Sequence, residues 1–267
     1  MDDTAPEPRG AHHVQSLERG LAVIRAFGTG AQTLTLSDVA RTTGLTRAAA
    51  RRFLLTLVDL GYVAFDGKFF SLTARVLELG YSFLSGLSLP EVAQPHLEQL
   101  STEVHESCSA SVLDGTDIVY VARVAVSRIM TVSISVGTRF PAHATSMGHV
   151  LLAGLDKDAL DDYFADARLN RLTSHTLTAP EDLRAELARV REQGYALVDQ
   201  ELEEGLRSVA APVHDRHGRV TAAVNVSTHA SRTTSEALRG DILPRLVAAC
   251  RRIEADLAVT APARSDR

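Results

Sequence analysis

Apolar residues near the start of the chain recur at three- and four-residue steps and predict short amphipathic helices. The first helix covers the segment "QSLERGLAVIRAF", residues 15–27, where such spacing places the apolar side chains on one face. A second helix is predicted in "TLSDVARTTGL". Thr35 can cap its start with Asp38 three residues later, and Gly44 suits the left-handed residue that ends a helix.

The third predicted helix starts after Thr46, ends at Gly61 and has two different faces. At 100° per residue, one arc carries the apolar side chains of Ala50, Phe53, Leu54 and Leu57. The opposite arc carries Arg47, Ala48, Arg51 and Arg52. Small alanines between arginines suit close approach to a DNA major groove about 12 Å wide, where arginine bonds guanine edges or phosphates. A merely solvated basic face is the alternative interpretation.

Two short strands around Asp66-Gly67 follow, in "GYVAFDGKFFSLT", and this dipeptide between β-favouring residues is a strong hairpin signal. Two helices joined by "TTGLT" and followed by a hairpin form a winged helix-turn-helix, with Lys68 at the tip of the wing near a backbone phosphate. Hydroxyls at the starts of the second and third helices are expected to be exposed to phosphates. The predicted DNA-binding residues are Thr35, Ser37, Thr46, Arg47, Ala48, Arg51, Arg52 and Lys68.

The rest of the chain alternates helices with a meander of strands, which predicts an α+β domain. A connecting helix that Pro90 helps to end comes first, followed by a second amphipathic helix. The predicted strands include a hairpin turning at Asp114-Gly115, a strand in "IMTVSISVG", and two strands joined by a turn ending at Gly218. The predicted helices include those at 180–194 and 235–258. The expected organisation is a disordered tail at 1–13, a DNA-binding domain at 14–74, a linker helix at 75–89, an effector-binding domain at 90–260 and a disordered tail at 261–267.

Charge is distributed unevenly between these parts. The 267-residue chain has a net charge of −5, yet residues 11–75 carry a balance of +4 and residues 76–267 a balance of −7. A basic segment joined to a larger acidic one suggests that only the first part meets a polyanion. The N-terminus lacks a secretion signal and no apolar run reaches about 18 residues, so we expect a cytoplasmic protein without a membrane span. Cys108 and Cys250 are then expected to be free buried thiols.

The sequence shows no catalytic constellation. His143 and His149 lie six residues apart, which is not a metal-ligand spacing on a helix, and no G-x-S-x-G motif is present. A small-molecule pocket fits the larger domain better, because the loop "TRFPAHATSMG" feeds a helix start that favours a carboxylate. Asn225 and Ser227 alternate with valines on one strand, and this polar face either points into such a pocket or faces solvent.

Several segments together resemble the IclR family of bacterial transcription regulators. They are "VQSLERGLAVIRAF", "LTLSDVARTTGLTRAAARRFLLTLVDLGYV", "VGTRFPAHATSMGHVLLA" and "GYALVDQELEEGLRSVAAPVHDRHGRVTAAVNVST". The resemblance runs from about Val14 to Ala258. The motifs are most similar to those of the PcaR/PobR group, which regulates protocatechuate and 4-hydroxybenzoate catabolism. It implies a winged helix-turn-helix, a linker helix, a GAF-like effector domain, and homodimers that often pair into homotetramers.

The resemblance also implies an effector pocket. Its positions here are Ile129, Val132, Phe140, Ser146, Met147, Leu206, Ser208, Asn225 and Ser227. Ser146 and Met147 stand where the family usually has glycine and alanine, and His149 replaces a usual lysine, so the effector cannot be copied from another branch. His143 and Arg207 are candidates to meet a carboxylate on charge grounds.

We therefore expect a ligand-responsive regulator that binds double-stranded operator DNA and controls aromatic acid catabolism, in the protocatechuate and β-ketoadipate pathway. Its effector would be a small carboxylate such as protocatechuate or β-ketoadipate. It is expected to need no cofactor or metal and to be no enzyme. The alternatives are a regulator of another small-carboxylate pathway, a cytoplasmic hydrolase, and a GAF-like sensor that binds no DNA. Activation or repression, and dimer or tetramer, stay open.

Overall fold

The computed structural model describes residues 13–28, 33–79, 89–126 and 134–260. The chain divides into two compact units, Met1–Phe83 and Leu84–Arg267. Residues 1–12 of the tail predicted at 1–13, the tail predicted at 261–267, and residues 80–88 of the predicted linker helix lie outside the described residues. So does the segment 127–133, which contains Ile129 and Val132.

In its described residues, the first unit contains three complete helices, the start of a further helix at 77–79 and a small antiparallel sheet. The elements are α1 (Gln15–Ala26), β1 (Thr33–Leu34), α2 (Leu36–Thr43), α3 (Arg47–Asp59), β2 (Val63–Phe65) and β3 (Phe70–Leu72), followed by a 3-10 turn at Ala74–Val76. The strand order is β1-β3-β2. The three predicted helices and the hairpin are confirmed, whereas the two-residue strand β1 was not predicted.

Local signals fix the ends of α2. The Thr35 hydroxyl accepts a bond from the backbone N–H of Asp38, and the Asp38 carboxylate accepts one from the backbone N–H of Thr35. This reciprocal capping satisfies two backbone donors that a helix start otherwise leaves free. At the other end, Gly44 adopts φ +67°, where a side chain would be strained. The turn into α3 is therefore encoded locally.

The second unit is built on an antiparallel sheet covered by helices. Its helices are α4 (Leu89–Val104), α5 (Ser146–Ala153), α6 (Lys157–Asp166), α7 (Pro180–Gln193), α8 (Ser235–Ala237) and α9 (Leu243–Thr260), with a π-helical segment, Leu238–Ile242, between the last two. Its strands are β4 (Ser107–Asp114), β5 (Asp117–Val124), β6 (Arg139–Pro141), β7 (Ala196–Asp199), β8 (Leu206–His214) and β9 (Val220–His229). The strand order is β6-β5-β4-β9-β8-β7.

Two apolar cores cover the two faces of this sheet. On one face, Leu97 and Leu100 of α4 and Leu246 of α9 pack with strand residues such as Val224. On the other face, Leu152 of α5 and Leu187 of α7 pack against the sheet. Because helices cover both faces of an antiparallel sheet, the predicted α+β class is confirmed. The free thiols of Cys108 and Cys250 are buried, as expected.

The structure corrects several predicted elements. Pro90 lies inside α4, and residues 80–88 of the connecting helix that it was predicted to end lie outside the described residues. The strand predicted in "IMTVSISVG" falls mostly on 127–133, outside the described residues. Its end, 134–137, forms a turn in which Gly137 has φ +88°. Strand β6 and helix α6 were not predicted. None of the described helices is long and apolar enough to cross a bilayer.

Candidate DNA-binding surface and ligand-binding site

Helix α3 presents a basic face to solvent. Arg47, Arg51 and Arg52 are exposed, and Ala48 between them is exposed as well. None of the three arginines forms an ion pair with the residues that the structure describes. On the opposite side, Ala50 and Leu54 are completely buried, as the sequence predicted. Arginines that have no internal partner are available for an anion outside the protein.

The hydroxyls near this face differ in what they can do. Thr46 accepts the N–H of Ala49 at 3.2 Å and remains exposed, so its O–H proton is free to donate. Ser37 is exposed. Thr35 is half-buried, and its hydroxyl donates to Asp38 Oδ2 at 2.6 Å. The expectation that Thr35 offers an exposed donor to phosphate was wrong, because the helix cap uses that proton.

Asp66 fixes the conformation of the loop at the tip of the wing. Its Oδ1 accepts the backbone N–H groups of Lys68 at 2.9 Å and Phe69 at 2.7 Å, and these bonds hold the pKa of the Asp66 carboxyl below its usual value. Phe65 pairs with Phe70 across the hairpin, so the loop contains four residues. Lys68 is exposed at this loop, with its Nζ 4.9 Å from the centroid of the Phe69 ring. The wing thus presents a positive charge on a short, braced loop.

In the second unit, polar side chains from four strands share one face of the sheet. Ser109 on β4 lies opposite Arg123 on β5 and opposite Asn225 on β9. Ser227 on β9 lies opposite Ser208 on β8. Cross-strand partners in an antiparallel sheet point to the same side, so these residues form one polar patch. We call Ser109, Arg123, Ser208, Asn225 and Ser227 the polar face.

Ser109, Ser208 and Asn225 of the polar face are buried and Arg123 and Ser227 are half-buried, and some of their polar atoms lack hydrogen-bond partners. Arg123 Nη1 donates to Ser109 Oγ at 3.1 Å, while its buried Nε has no partner in the described part of the chain. Asn225 Nδ2 donates to Ser227 Oγ at 3.0 Å, and its buried Oδ1 likewise lacks a partner among the described residues. Burial lowers the pKa of Arg123. A half-buried cation and a buried acceptor without a partner are each costly unless a ligand supplies an anion for the first and a donor for the second.

A small cavity lies where the polar face meets the start of α5. Ser208 Oγ donates to Ser146 Oγ at 2.9 Å, and Thr145 caps α5 by accepting the N–H of Gly148 at 3.0 Å. The cavity has a volume of about 20 Å³, room for about one water molecule. A ring-sized ligand would therefore have to widen it. Its walls are Tyr120, Ala144, Thr145, Ser146, Val198, Leu202, Leu206, Ser208, Asn225 and Ser227.

The predicted effector residues divide into three groups. Ser146, Leu206, Ser208, Asn225 and Ser227 line this cavity, so the polar strand face points inward. Met147 and Phe140 belong to the apolar core beside it, where Phe140 meets the ring of Tyr120 edge-on at 5.9 Å. Ile129 and Val132 lie outside the described residues.

The two side chains predicted to meet a carboxylate lie elsewhere. Arg207 donates to both carboxylate oxygens of Asp199, at 2.9 and 2.8 Å. It points away from its neighbours Leu206 and Ser208, because successive strand residues face opposite sides. His143 Nε2 donates to the carbonyl of Asn170 at 3.1 Å, beside a separate polar cavity of about 250 Å³. Burial lowers its pKa and keeps it neutral. Neither residue lines the small cavity at the start of α5, and a contact of either with an effector carboxylate stays a prediction.

Arg123 was missed by the sequence reasoning. The available signal was the hairpin at Asp114-Gly115, which places the strand containing Arg123 opposite the one containing Ser109. A register shift between Ala110 and Ser111 complicates counting back from the turn. Within the described ranges, no group of three or more His, Cys, Asp and Glu side chains is placed to hold a metal.

Comparison with known proteins places both units in one family. Residues 16–67 match the model described as the IclR helix-turn-helix domain, and residues 81–255 match the one described as the C-terminal domain of bacterial transcriptional regulator IclR. The chain is 48% identical over 237 residues to the Pca regulon regulatory protein of Pseudomonas putida, covering 88% of this chain and 81% of that protein.

Two solved structures share the fold along most of the chain. The transcriptional regulator RHA06195 of Rhodococcus sp. RHA1 is 61% identical, with a TM-score of 0.83, and covers 93% of this chain and 100% of its own. An IclR homologue of Microbacterium hydrocarbonoxydans, complexed with 4-hydroxybenzoate, is 26% identical, with a TM-score of 0.82. It covers 92% of this chain and 100% of its own.

Proposed function

Because the chain belongs to the IclR family of bacterial transcriptional regulators, we propose that it controls genes of aromatic acid catabolism in response to a small aromatic carboxylate. The relative from Pseudomonas putida is named for the Pca regulon, and the Microbacterium homologue holds 4-hydroxybenzoate. Protocatechuate, 4-hydroxybenzoate and β-ketoadipate are the effectors to test first. A regulator of chromosomal genes works in the cytoplasm and needs no catalytic group.

The single observation that carries the effector class is Arg123. Its guanidinium is half-desolvated and its Nε has no partner among the described residues. A carboxylate there gains a charge-assisted hydrogen bond and relieves the cost of the buried charge. The free Oδ1 of Asn225 can accept a bond from a ring hydroxyl. Tyr120 and Leu206 supply apolar walls for the ring. These groups together suit a hydroxylated aromatic acid.

The basic face of α3 is the proposed DNA contact. In a helix-turn-helix, the second helix enters the major groove with its first residues nearest the bases. We propose that Arg47 and Arg51 face base edges or phosphates, that Arg52 and Lys68 face phosphates, and that the small Ala48 allows the close approach of the helix. Ser37 and Thr46 can donate to the backbone from the starts of α2 and α3.

Helix α1 supports assembly of two copies through the DNA-binding units. Val14, Leu17 and Leu21 leave 58%, 63% and 41% of their surfaces exposed on one side of this helix. Together with His13, Glu18 and Arg25 they line a groove of about 350 Å³. An apolar stripe on a small unit is costly in water and typical of a subunit contact. A two-fold dimer would present two α3 helices to a near-palindromic operator, and pairing of dimers would give a tetramer.

The decisive experiment is a thermal-shift panel on the full chain with protocatechuate, 4-hydroxybenzoate, β-ketoadipate and glyoxylate. A ligand that binds only the folded state adds about 2.7 kcal/mol of stability at a hundredfold excess over its dissociation constant. We expect an aromatic acid to raise the melting temperature and Arg123→Gln to weaken its binding at least tenfold. Arg207→Gln is the matched control, because it removes a charge that faces away from the cavity.

The other outcomes distinguish the alternatives. A shift with β-ketoadipate alone would support the same pathway, with a ring-cleavage product rather than an aromatic acid as the effector. A shift with glyoxylate alone would favour a different small-carboxylate pathway. Turnover of an ester or lactone would favour a hydrolase. Ligand binding without salt-dependent retention of DNA would favour a sensor that acts through proteins.

A further inference from the structure

A second groove of this unit lies at the far end of the elements that form the effector cavity. It has a volume of about 760 Å³ and shares no lining residue with that cavity. The effector cavity meets α5 at Ser146 and β8 at Leu206 and Ser208, whereas the groove meets α5 at Val150 and Ala153. It meets β8 at 211–214. The two sites are therefore separate.

The groove follows an open stretch of sheet edge. Strand β7 pairs with β8 only from Arg207 to Ala210, so the next part of β8 has no strand neighbour on that side in the described chain. Pro212 has no N–H to donate there, and the N–H of His214 is held by Glu254 Oε1 at 2.8 Å. An edge blocked in this way does not accept an added strand. The occupant is therefore not an extended peptide.

One part of the groove wall is apolar. Val150 of α5, Val190 of α7, Val220 of β9, and Leu243 and Val247 of α9 all line it. Gly154 allows the close approach of one wall, since a Cβ on it would lie 2.5 Å from the Cβ of Val220. A groove of this size with apolar walls is typical of sites that hold small organic molecules.

Positive charge stands at the rim. Arg251 is exposed and forms no ion pair with the described residues. Arg191 donates to the carbonyls of Ala153 at 2.7 Å and Leu155 at 2.8 Å, which are neutral groups and leave its charge uncompensated. The one acidic lining residue, Glu254, is bonded to the Nδ1 of His214 at 2.6 Å. The rim therefore favours an anion.

We propose that this groove is a second small-molecule site, which binds an amphipathic organic anion with its apolar body along Leu243 and Val247 and its acidic group on Arg251. The size of the groove admits a molecule larger than a single-ring acid. The site is independent of the effector cavity and of the identity of the effector.

The experiment uses the dye 8-anilinonaphthalene-1-sulfonate, an amphipathic anion, with the intact full chain. We expect a saturable rise in fluorescence with one site per chain, weakened about tenfold by Arg251→Gln and abolished by Val247→Glu, which places an anion against the dye. Arg239→Gln is the matched control, because it removes an exposed arginine outside the groove. Arg123→Gln and saturating 4-hydroxybenzoate should leave dye binding unchanged.

Three results would overturn the proposal. Dye binding weakened by Arg123→Gln but not by Arg251→Gln would place the dye in the effector cavity. The absence of saturable binding to the folded chain would show that the groove holds no such anion. Dye binding that weakens as protein concentration rises, with a smaller assembly in Arg251→Gln by light scattering, would assign the groove to a second copy of the chain. Unchanged circular dichroism establishes that each variant is folded.

Discussion

Arg47 begins α3 with a side chain exposed to solvent and, in the proposed function, lies at the end of the helix that enters the major groove. Arg47→Ala should therefore weaken operator binding by roughly 1–3 kcal/mol, which is the range for a lost base contact. A lost phosphate contact would instead lower the slope of log affinity against log salt by about one. Fluorescence anisotropy with an operator duplex at several salt concentrations separates the two cases.

Arg239→Ala provides the comparison for this measurement. It changes the net charge equally but lies in the π-helical segment of the other unit. Operator affinity and salt slope unchanged in Arg47→Ala would remove α3 from the proposed DNA contact. A similar loss in both variants would trace the effect to net charge rather than to the position of Arg47.

At the scale of residues, sequence shows which groups are charged but not which partners they already have. Arg207 and Arg123 both lie on strands, and only Arg207 was predicted to meet an effector carboxylate. In the structure, Asp199 on the neighbouring strand neutralises Arg207, a pairing set by the register of β7 against β8. Thr35 was predicted both to cap α2 and to donate its hydroxyl proton to a phosphate. The structure shows that this proton is donated to Asp38 instead. Long-range register decides such cases.

At the scale of elements, the loop between β7 and β8 ties α5 to the effector cavity. Glu201 in this loop is largely buried, with Oε2 3.5 Å from the N–H of Leu177 and 4.0 Å from Nε2 of His149. Burial raises the pKa of Glu201 to about 7 and lowers the pKa of His149. Glu201 is therefore mostly protonated below about pH 7, and His149 is neutral at neutral pH, so their contact near pH 7 is not a full ion pair. Leu202, the next residue, lines the cavity.

The pKa of Glu201 makes stability depend on pH. Since the carboxyl binds its proton more tightly in the folded state, its contribution is fully present below its ordinary pKa of 4.5 and is lost as pH rises through about 7. Glu201→Gln should remove this loss, worth about 2 kcal/mol. The test is the free energy of unfolding of both proteins from pH 5 to pH 8. Because burial lowers the pKa of His149, its contribution to stability changes with pH in the opposite direction. The effect of Glu201 is therefore obtained from the difference in the free energy of unfolding between the two proteins.

A constant difference between the two proteins across this range would show that Glu201 keeps its ordinary pKa in the folded protein. A parallel measurement of effector affinity is informative, because ionisation of Glu201 should loosen the loop that holds Leu202 against the cavity. Affinity in the Gln variant should therefore vary less with pH than in the wild type.

Most elements could be predicted because their signals are local. The capping of α2 by Thr35, the end of α2 at Gly44 and the hairpin at Asp66 each depend on residues a few positions apart. The strands β1 and β6 have two and three residues. Such strands exist only through pairing with distant segments, and no local pattern marks them. The polar face could be predicted as alternation on β9, but not as the meeting of four strands.

At the scale of the whole molecule, the two parts of the chain carry net charges of opposite sign. The basic balance lies in residues 11–75 and the acidic balance in residues 76–267, so attraction to DNA is confined to one unit and depends strongly on salt. In the proposed function the effector binds one half-buried arginine, Arg123, whose interactions salt screens less than those of exposed charges. The salt concentration can therefore be chosen to suit the operator measurement, because effector affinity changes little with salt. Both affinities can then be measured in the same buffer.

Under those conditions, the proposed function requires reciprocal coupling between the two sites. If the effector changes operator affinity by some factor, bound operator must change effector affinity by the same factor, because both describe one free-energy difference. Typical couplings are about 5- to 150-fold. Isothermal titration of the effector into the protein, with and without saturating operator, should give the factor found by anisotropy. A duplex of scrambled sequence should give no change. Unequal factors would mean that the effector also binds elsewhere or alters the assembly of the protein.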